Sequence, residues 1–156
     1  MTQSFKYVID TNIIIKQFIE DPLTEKVNQL FQHLGTPHTR FFVPDLIYIY
    51  VESANVLRKY ARAKLYTTDQ ILLGLAKIKE LPFEVMPTKQ LVTKSVQIGL
   101  KYEITAYDGC YVALSHQANA PLLTLDKRLV NSLTNSPFDI RLFTDFSIPP
   151  LPSSEE

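Results

Sequence analysis

Short apolar segments alternate with longer segments in which apolar residues recur at helical spacing along most of the chain. The short segments predict strands, and a helical segment after each strand is typical of a parallel sheet covered by helices. The predicted strands are Phe5–Ile9, Arg40–Val43, Phe83–Met86, Pro121–Leu125 and Ile140–Phe143. This order predicts an α/β fold, namely a three-layer α/β/α sandwich around a mostly parallel sheet.

Proline, glycine and capping residues mark the ends of the predicted helices. Asp21 followed by Pro22 indicates an N-cap and a first helical residue, and Gly35 indicates the end of that helix. The predicted helices begin at Asn12, at Asp21–Pro22 (to about Leu34), at Pro44–Asp45 (to about Lys64), at Thr68 (to Leu81), at Pro87 (to about Tyr102), at Ala106 (to Asn119) and after Leu125. Residues 1–146 are expected to form one domain, and the Pro/Ser-rich acidic segment 147–156 a loose tail.

The amino-acid composition excludes several classes of protein. The chain has 156 residues, 46% of them hydrophobic, which is enough for one domain with a real core. Its 16 Lys+Arg balance 16 Asp+Glu, which excludes nucleic-acid binding by bulk positive charge but not by a local patch. One cysteine excludes a disulfide framework and a cysteine zinc site. We expect a soluble cytoplasmic protein, because no signal sequence is readable and the longest apolar run, Leu46–Val51, is too short to span a bilayer.

Two aspartates directly follow predicted strands. Asp10 comes after Tyr7-Val8-Ile9, and Asp126 comes after Leu122–Leu125. Each also precedes a helical segment, and for either one alone helix capping is the better interpretation. Because the carboxyl ends of parallel strands meet at one edge of the sheet, the pair favours a functional site there.

Two further carboxylates are candidates on predicted helices. Asp108 lies three residues after Thr105 in a Ser/Thr-x-x-acid pattern, so a capping role is a strong alternative. Glu52 follows six apolar or aromatic residues, and a glutamate toward a buried face is rare unless it is paired or ligating. The alternative is a solvent-exposed Glu52 paired with Arg58 or Lys59, whose offsets of six and seven residues suit a helical pair poorly.

Four motifs carry a resemblance to a known family. They are VIDTN at Val8–Asn12, PDLIYIYVESANVLRK at Pro44–Lys59, TAYDGCYVAL at Thr105–Leu114 and LLTLDKRL at Leu122–Leu129. In this order and spacing they resemble the PIN domain family, and within it the bacterial VapC-type toxin ribonucleases, from about Tyr7 to Phe143. The resemblance implies a catalytic, metal-binding set of Asp10, Glu52, Asp108 and Asp126, with Thr11 or Asn12 and Thr124 as small polar residues of the site. Gly109-Cys110 departs from it, since small or apolar residues are commoner there.

A cluster of carboxylates also has a chemistry of its own. Four of them in one crevice repel, so that at least one takes up a proton or a cation neutralises them. Oxygen ligands without His or Cys select Mg²⁺, with Mn²⁺ as a substitute, and such a site suits hydrolysis of phosphodiesters. Lys127 and Arg128 follow Asp126 directly and either guide a phosphate backbone or are ordinary surface charges.

The expected function is therefore Mg²⁺-dependent endoribonucleolytic cleavage of RNA. The resemblance to VapC-type toxins also implies a small antitoxin partner and a homodimer. Two alternatives stay open: a PIN-like module that binds a partner without catalysis, and a housekeeping RNA-processing nuclease.

Overall fold

A five-stranded, entirely parallel sheet forms the centre of the protein. The computed structural model describes residues 5–44 and 46–152. The strands are β1 (Phe5–Ile9), β2 (Thr39–Pro44), β3 (Glu84–Met86), β4 (Leu122–Thr124) and β5 (Ile140–Leu142). Their order across the sheet is β3-β2-β1-β4-β5, and each neighbouring pair is parallel. β1 therefore lies beside both β2 and β4, the strand that precedes Asp126.

Seven α-helices connect and cover the strands described. They are α1 (Thr11–Ile15), α2 (Thr24–Gln32), α3 (Leu46–Arg62), α4 (Thr68–Glu80), α5 (Val92–Tyr102), α6 (Ala106–Ala118) and α7 (Lys127–Ser132). None of these helices combines the length and the apolar character needed to cross a membrane.

Alternating side chains of the strands build two cores, one on each face of the sheet. Tyr7 and Ile9 of β1 pack into a core with residues of α1, α2, α3 and α4. Val8, between them, packs into a second core with residues of α5, α6 and α7. Leu122 and Leu123 of β4 divide between the two cores in the same way, as side chains of period two must. The predicted three-layer α/β/α sandwich is confirmed.

Two predicted helix starts are wrong. α2 begins at Thr24, because Asp21 forms an ion pair with Lys16 (2.7 Å) and its Oδ1 accepts a hydrogen bond from the Leu23 amide. Asp21 and Pro22 therefore form the turn before the helix. The helix predicted from Pro87 begins at Val92, since residues 88–90 form a separate 3₁₀ turn in which the Gln90 amide donates to the Pro87 carbonyl.

The beginning of the C-terminal tail is attached to the domain, contrary to the prediction of a loose segment. Ile148 packs against the core that contains Tyr7 and Ile9, and the Pro149 carbonyl lies 2.7 Å from Nε2 of the buried His33. Residues 153–156 of this tail lie outside the described residues, as do Asp45 of the predicted Pro44–Asp45 helix start and the side chains of residues 46–49.

The close approach of α5 to α6 explains the glycine at position 109, which is part of the departure from the family pattern noted above. A Cβ atom at Gly109 would lie 2.6 Å from both the carbonyl oxygen and the hydroxyl of Ser95 on α5, closer than packed atoms allow. We expect Gly109→Ala to lower the free energy of unfolding by about 1–3 kcal/mol in urea titrations. Gly35→Ala is the matched control, because a Cβ there meets nothing within 4 Å, and it should be nearly neutral. Equal stabilities for both variants would contradict this account of the α5–α6 contact.

Candidate active site

One cavity of about 510 Å³ opens at the carboxyl ends of β1 and β4. Nine of the described residues line it: Asp10, Asn12, Val51, Glu52, Asn55, Tyr107, Asp108, Tyr111 and Asp126. We call it the acid cavity, because all the charged side chains among the described residues that line it are carboxylates. Its volume lies within the range of roughly 300–1,000 Å³ that small-ligand sites occupy.

Asp10 is held in place by the strand beside its own. It follows β1 directly, and its amide donates to the Leu123 carbonyl of β4. The buried Thr124 hydroxyl donates to Oδ2 of Asp10 (2.8 Å) and accepts from the Asp126 amide (3.1 Å). One threonine at the end of β4 thus fixes both aspartates of the sheet edge.

Glu52 enters the acid cavity from the middle of α3 and is hydrogen-bonded to α1. The Thr11 hydroxyl donates to Oε2 of Glu52 at 3.3 Å and lies 2.6 Å from the Tyr111 hydroxyl of α6. When Thr11 donates to Glu52, the Tyr111 hydroxyl is the donor to Thr11. Thr11 is fully buried and Tyr111 nearly so, and three helices therefore fix the position of this glutamate.

Asp108 and Asp126 both lie at helix starts, as the capping alternatives required, but their roles there differ. Asp126 does cap α7, since its Oδ1 accepts from the amides of Arg128 (2.9 Å) and Leu129 (3.2 Å). The N-cap of α6 is Thr105, as the Ser/Thr-x-x-acid pattern predicts, and its hydroxyl accepts from the Asp108 amide at 3.0 Å. The carboxylate of Asp108 thus lines the acid cavity while another residue caps the helix.

Burial and mutual repulsion make three of the carboxylates weaker acids. Burial, followed by the charge of Asp10, raises the pKa of Glu52 to about 6. Burial also raises the pKa of Asp10, which the charges of Asp108 and Asp126 raise further and the Thr124 hydroxyl lowers. The pKa of Asp108 is raised by burial and by the charge of Asp126. A cluster of repelling carboxylates of this kind favours binding of a cation.

The donor set fits a hard divalent cation. All candidate ligands are carboxylate oxygens of Asp10, Glu52, Asp108 and Asp126, and such sets favour Mg²⁺ or Mn²⁺ over Zn²⁺. Within residues 5–44 and 46–152, however, no three His, Cys, Asp or Glu side chains are already gathered closely enough to hold one ion. Side-chain rotation would therefore have to accompany metal binding.

The remaining predicted site residues occupy three kinds of position. Thr11 and Thr124 lie buried behind the acid cavity and orient carboxylates, whereas Asn12 lines the cavity itself. Lys127 and Arg128 are exposed on the first turn of α7 and do not line it. The sequence prediction missed four lining residues, Val51, Asn55, Tyr107 and Tyr111, although all four lie within the quoted motifs.

A three-layer parallel α/β domain with carboxylates at the ends of two adjacent strands, on α3 and on α6 defines the class of protein. The family model described as PIN domain matches residues 7–131, and the chain belongs to the PIN domain family.

Among characterised relatives, the chain is similar to Ribonuclease VapC3 of Pyrobaculum aerophilum. The two are 28% identical over 126 residues, which cover 80% of this chain and 92% of that protein. The fold is also similar to a toxin–antitoxin complex from Klebsiella pneumoniae (TM-score 0.59, 17% identity, 88% of this chain and 97% of that one). A further similar structure is VapBC2 of Rickettsia felis bound to a DNA fragment from its promoter (TM-score 0.63, 14% identity, 88% and 98%).

Proposed function

We propose that this protein is a divalent-metal-dependent endoribonuclease, using Mg²⁺ or Mn²⁺, and the toxin of a toxin–antitoxin pair. The observation that carries the proposal is the acid cavity, to which four distant carboxylates contribute. The similarity to Ribonuclease VapC3 supports RNA as the substrate. The raised pKa values of Asp10, Glu52 and Asp108 support a cation as the partner of the cluster.

The four carboxylates would share one task, and two threonines would keep them oriented for it. Asp10, Glu52, Asp108 and Asp126 would hold the cation, which supplies activation of a water molecule and neutralisation of charge on the scissile phosphate. Thr124 would keep Asp10 oriented, and Thr11 would do the same for Glu52. Asp126 uses only Oδ1 for its capping hydrogen bonds, so its carboxylate retains lone pairs for a further ligand, directly or through water.

Basic side chains beside the acid cavity would receive the RNA backbone. Lys127 and Arg128 follow Asp126 at the rim, and Nε of the exposed Arg58 donates to Oδ1 of the lining residue Asn55 at 3.3 Å. Such cations attract phosphates without reading sequence.

An antitoxin partner and a homodimer belong to the same proposal. The neighbours from Klebsiella pneumoniae and Rickettsia felis support the antitoxin, because the first is described as a toxin–antitoxin complex and the second as VapBC2. The dimer is supported by apolar side chains exposed on helices, such as Leu72 and Leu73 of α4 (57% and 59% exposed). Light scattering of the purified chain should give the mass of a dimer.

The test is a cleavage assay on labelled single-stranded RNA. Purified protein should cut internally with Mg²⁺ or Mn²⁺ and not with EDTA, and Asp10→Asn should reduce the rate at least about a hundredfold. Asp69→Asn, prepared in parallel, is the matched control, because Asp69 is an exposed aspartate of α4 outside the acid cavity. Equal activity in the Asp10 and Asp69 variants would identify a contaminating nuclease and favour the alternative of a non-catalytic partner-binding module.

A further inference from the structure

Two large apolar side chains stand exposed at the mouth of the acid cavity. Tyr107, in the first turn of α6, is 71% exposed, and Val51 of α3 is 61% exposed. Both line the cavity, and they reach it from different helices. Apolar surface at a polar cleft is typical of a ligand-binding site.

We propose that Tyr107 is a stacking platform for one nucleobase of single-stranded RNA, with Val51 bounding the space on the α3 side. The inference rests on the proposed nuclease function and adds what the carboxylates leave open, namely how the substrate strand is held. Unpaired bases bind proteins chiefly by stacking on aromatic side chains, because every base has a π-face.

The position of Tyr107 in the chain relates the base to the reacting phosphate. Tyr107 directly precedes Asp108, and consecutive Cα atoms lie about 3.8 Å apart. Because Tyr107 and the four carboxylates line the same cavity, a base stacked on this ring would place the phosphate of its nucleotide near them. The cavity volume of about 510 Å³ accommodates a ligand of nucleotide size.

Two amides on the same rim suit the edge of such a base. Asn12 and Asn55 are exposed and line the acid cavity, and Asn55 also accepts the hydrogen bond from Arg58. Amide groups offer both donors and acceptors to an unpaired base. In an A-form duplex the bases are stacked and paired, so none could lie on Tyr107, and the expected substrate is unpaired at the cleavage site.

The first experiment uses the absence of tryptophan from the chain. Tyr107→Trp introduces a single tryptophan, and Asp10→Asn in the same chain keeps added RNA intact. We expect an unpaired eight-nucleotide RNA to quench the tryptophan emission and the same sequence in a perfect duplex to quench it much less. Equal quenching by both, or none by the single strand, would overturn the proposal.

The second experiment uses steady-state cleavage kinetics to test whether the aromatic ring of Tyr107, and not merely an apolar side chain, binds the substrate. Tyr107→Phe should keep KM near the wild-type value, while Tyr107→Leu and Tyr107→Ala should raise KM roughly 5- to 150-fold, the range for loss of one stacked base, with a smaller change in kcat. Leu100→Ala, which removes an 80% exposed side chain of α5, is the control and should leave KM unchanged.

The outcomes distinguish this inference from the proposed function. Cleavage by the wild type with unchanged KM in Tyr107→Ala would overturn the stacking role and leave the nuclease intact. Selective quenching by single-stranded RNA in a protein whose wild type never cleaves would support the stacking site and overturn the nuclease.

Discussion

Replacing Asp108 by asparagine should abolish RNA cleavage, by at least about a hundredfold, while the protein stays folded. The amide keeps the size of the side chain and removes a charge that the cavity tolerates poorly, as burial and Asp126 raise the pKa of this carboxyl. The free energy of unfolding without metal should therefore stay equal or increase. Circular dichroism and urea titration check the fold, and single-turnover cleavage checks the activity.

The opposite behaviour is expected of Thr105, which caps the same helix. Its hydroxyl accepts from the Asp108 amide, and Thr105→Ala should lower the free energy of unfolding by about 1 kcal/mol while cleavage stays within severalfold of wild type. Comparing the two variants distinguishes helix capping by Thr105 from a role of Asp108 in cleavage, although both residues lie on the same turn of α6. If Asp108→Asn loses stability as Thr105→Ala does and cleavage is retained, Asp108 is a structural residue and the proposed metal site loses one of its four ligands.

The sequence predicted the fold and the site best where a pattern has only one physical explanation. β4 consists of Leu122, Leu123 and Thr124, all fully buried, and only a strand covered on both faces suits such a run. The carboxylates followed from strand order, because Asp10 and Asp126 had to meet at one edge. The start of α2 was not predictable in this way, since Asp21 is engaged by Lys16, a contact that local pattern does not reveal.

The missed residues of the acid cavity have a different cause. Residues Gly109–Ser115 of α6 are buried without interruption, so the helix has no amphipathic stripe to show which side faces the site. Tyr111 therefore resembled any core aromatic in the sequence, although its hydroxyl completes the hydrogen-bonded chain to Glu52. Asn55 and Tyr107 are exposed and polar or amphipathic, as most surface residues are. Only their position at the acid cavity, which the sequence does not reveal, identifies them as site residues.

Without divalent metal, the protein should lose stability as the pH rises from about 4.5 to 7, and Mg²⁺ should restore it. Burial and Asp10 raise the pKa of Glu52 from 4.5 to about 6, so the folded state binds this proton more tightly than the unfolded state. The stabilisation is complete below the unfolded pKa and is lost as the pH passes the folded pKa. After screening at a partly exposed carboxylate, the effect of Glu52 is about 1–2 kcal/mol.

Other carboxylates oppose this trend at the acid end. Ion pairs with Lys16 and Arg40 lower the pKa values of Asp21 and Glu84, so their contribution is present at neutral pH and is lost as the pH falls. The acid cavity is therefore isolated by comparing variants rather than by one pH curve. Glu52→Gln removes the titrating group, and Glu80→Gln, at an exposed glutamate ending α4, is its matched control.

Thermal melts with EDTA or millimolar Mg²⁺ at pH 5 and pH 7.5 give the measurement. For wild type and Glu80→Gln we expect Mg²⁺ to raise the Tm by several degrees at pH 7.5 and much less at pH 5, where Glu52, with its pKa of about 6, is already mostly protonated. Glu52→Gln should melt higher than wild type in EDTA at pH 7.5 and gain less from Mg²⁺, because a repelling charge and a ligand are lost together. A wild-type Tm that Mg²⁺ and Mn²⁺ leave unchanged at pH 7.5 would mean that these carboxylates, although they share one cavity, do not seat a cation.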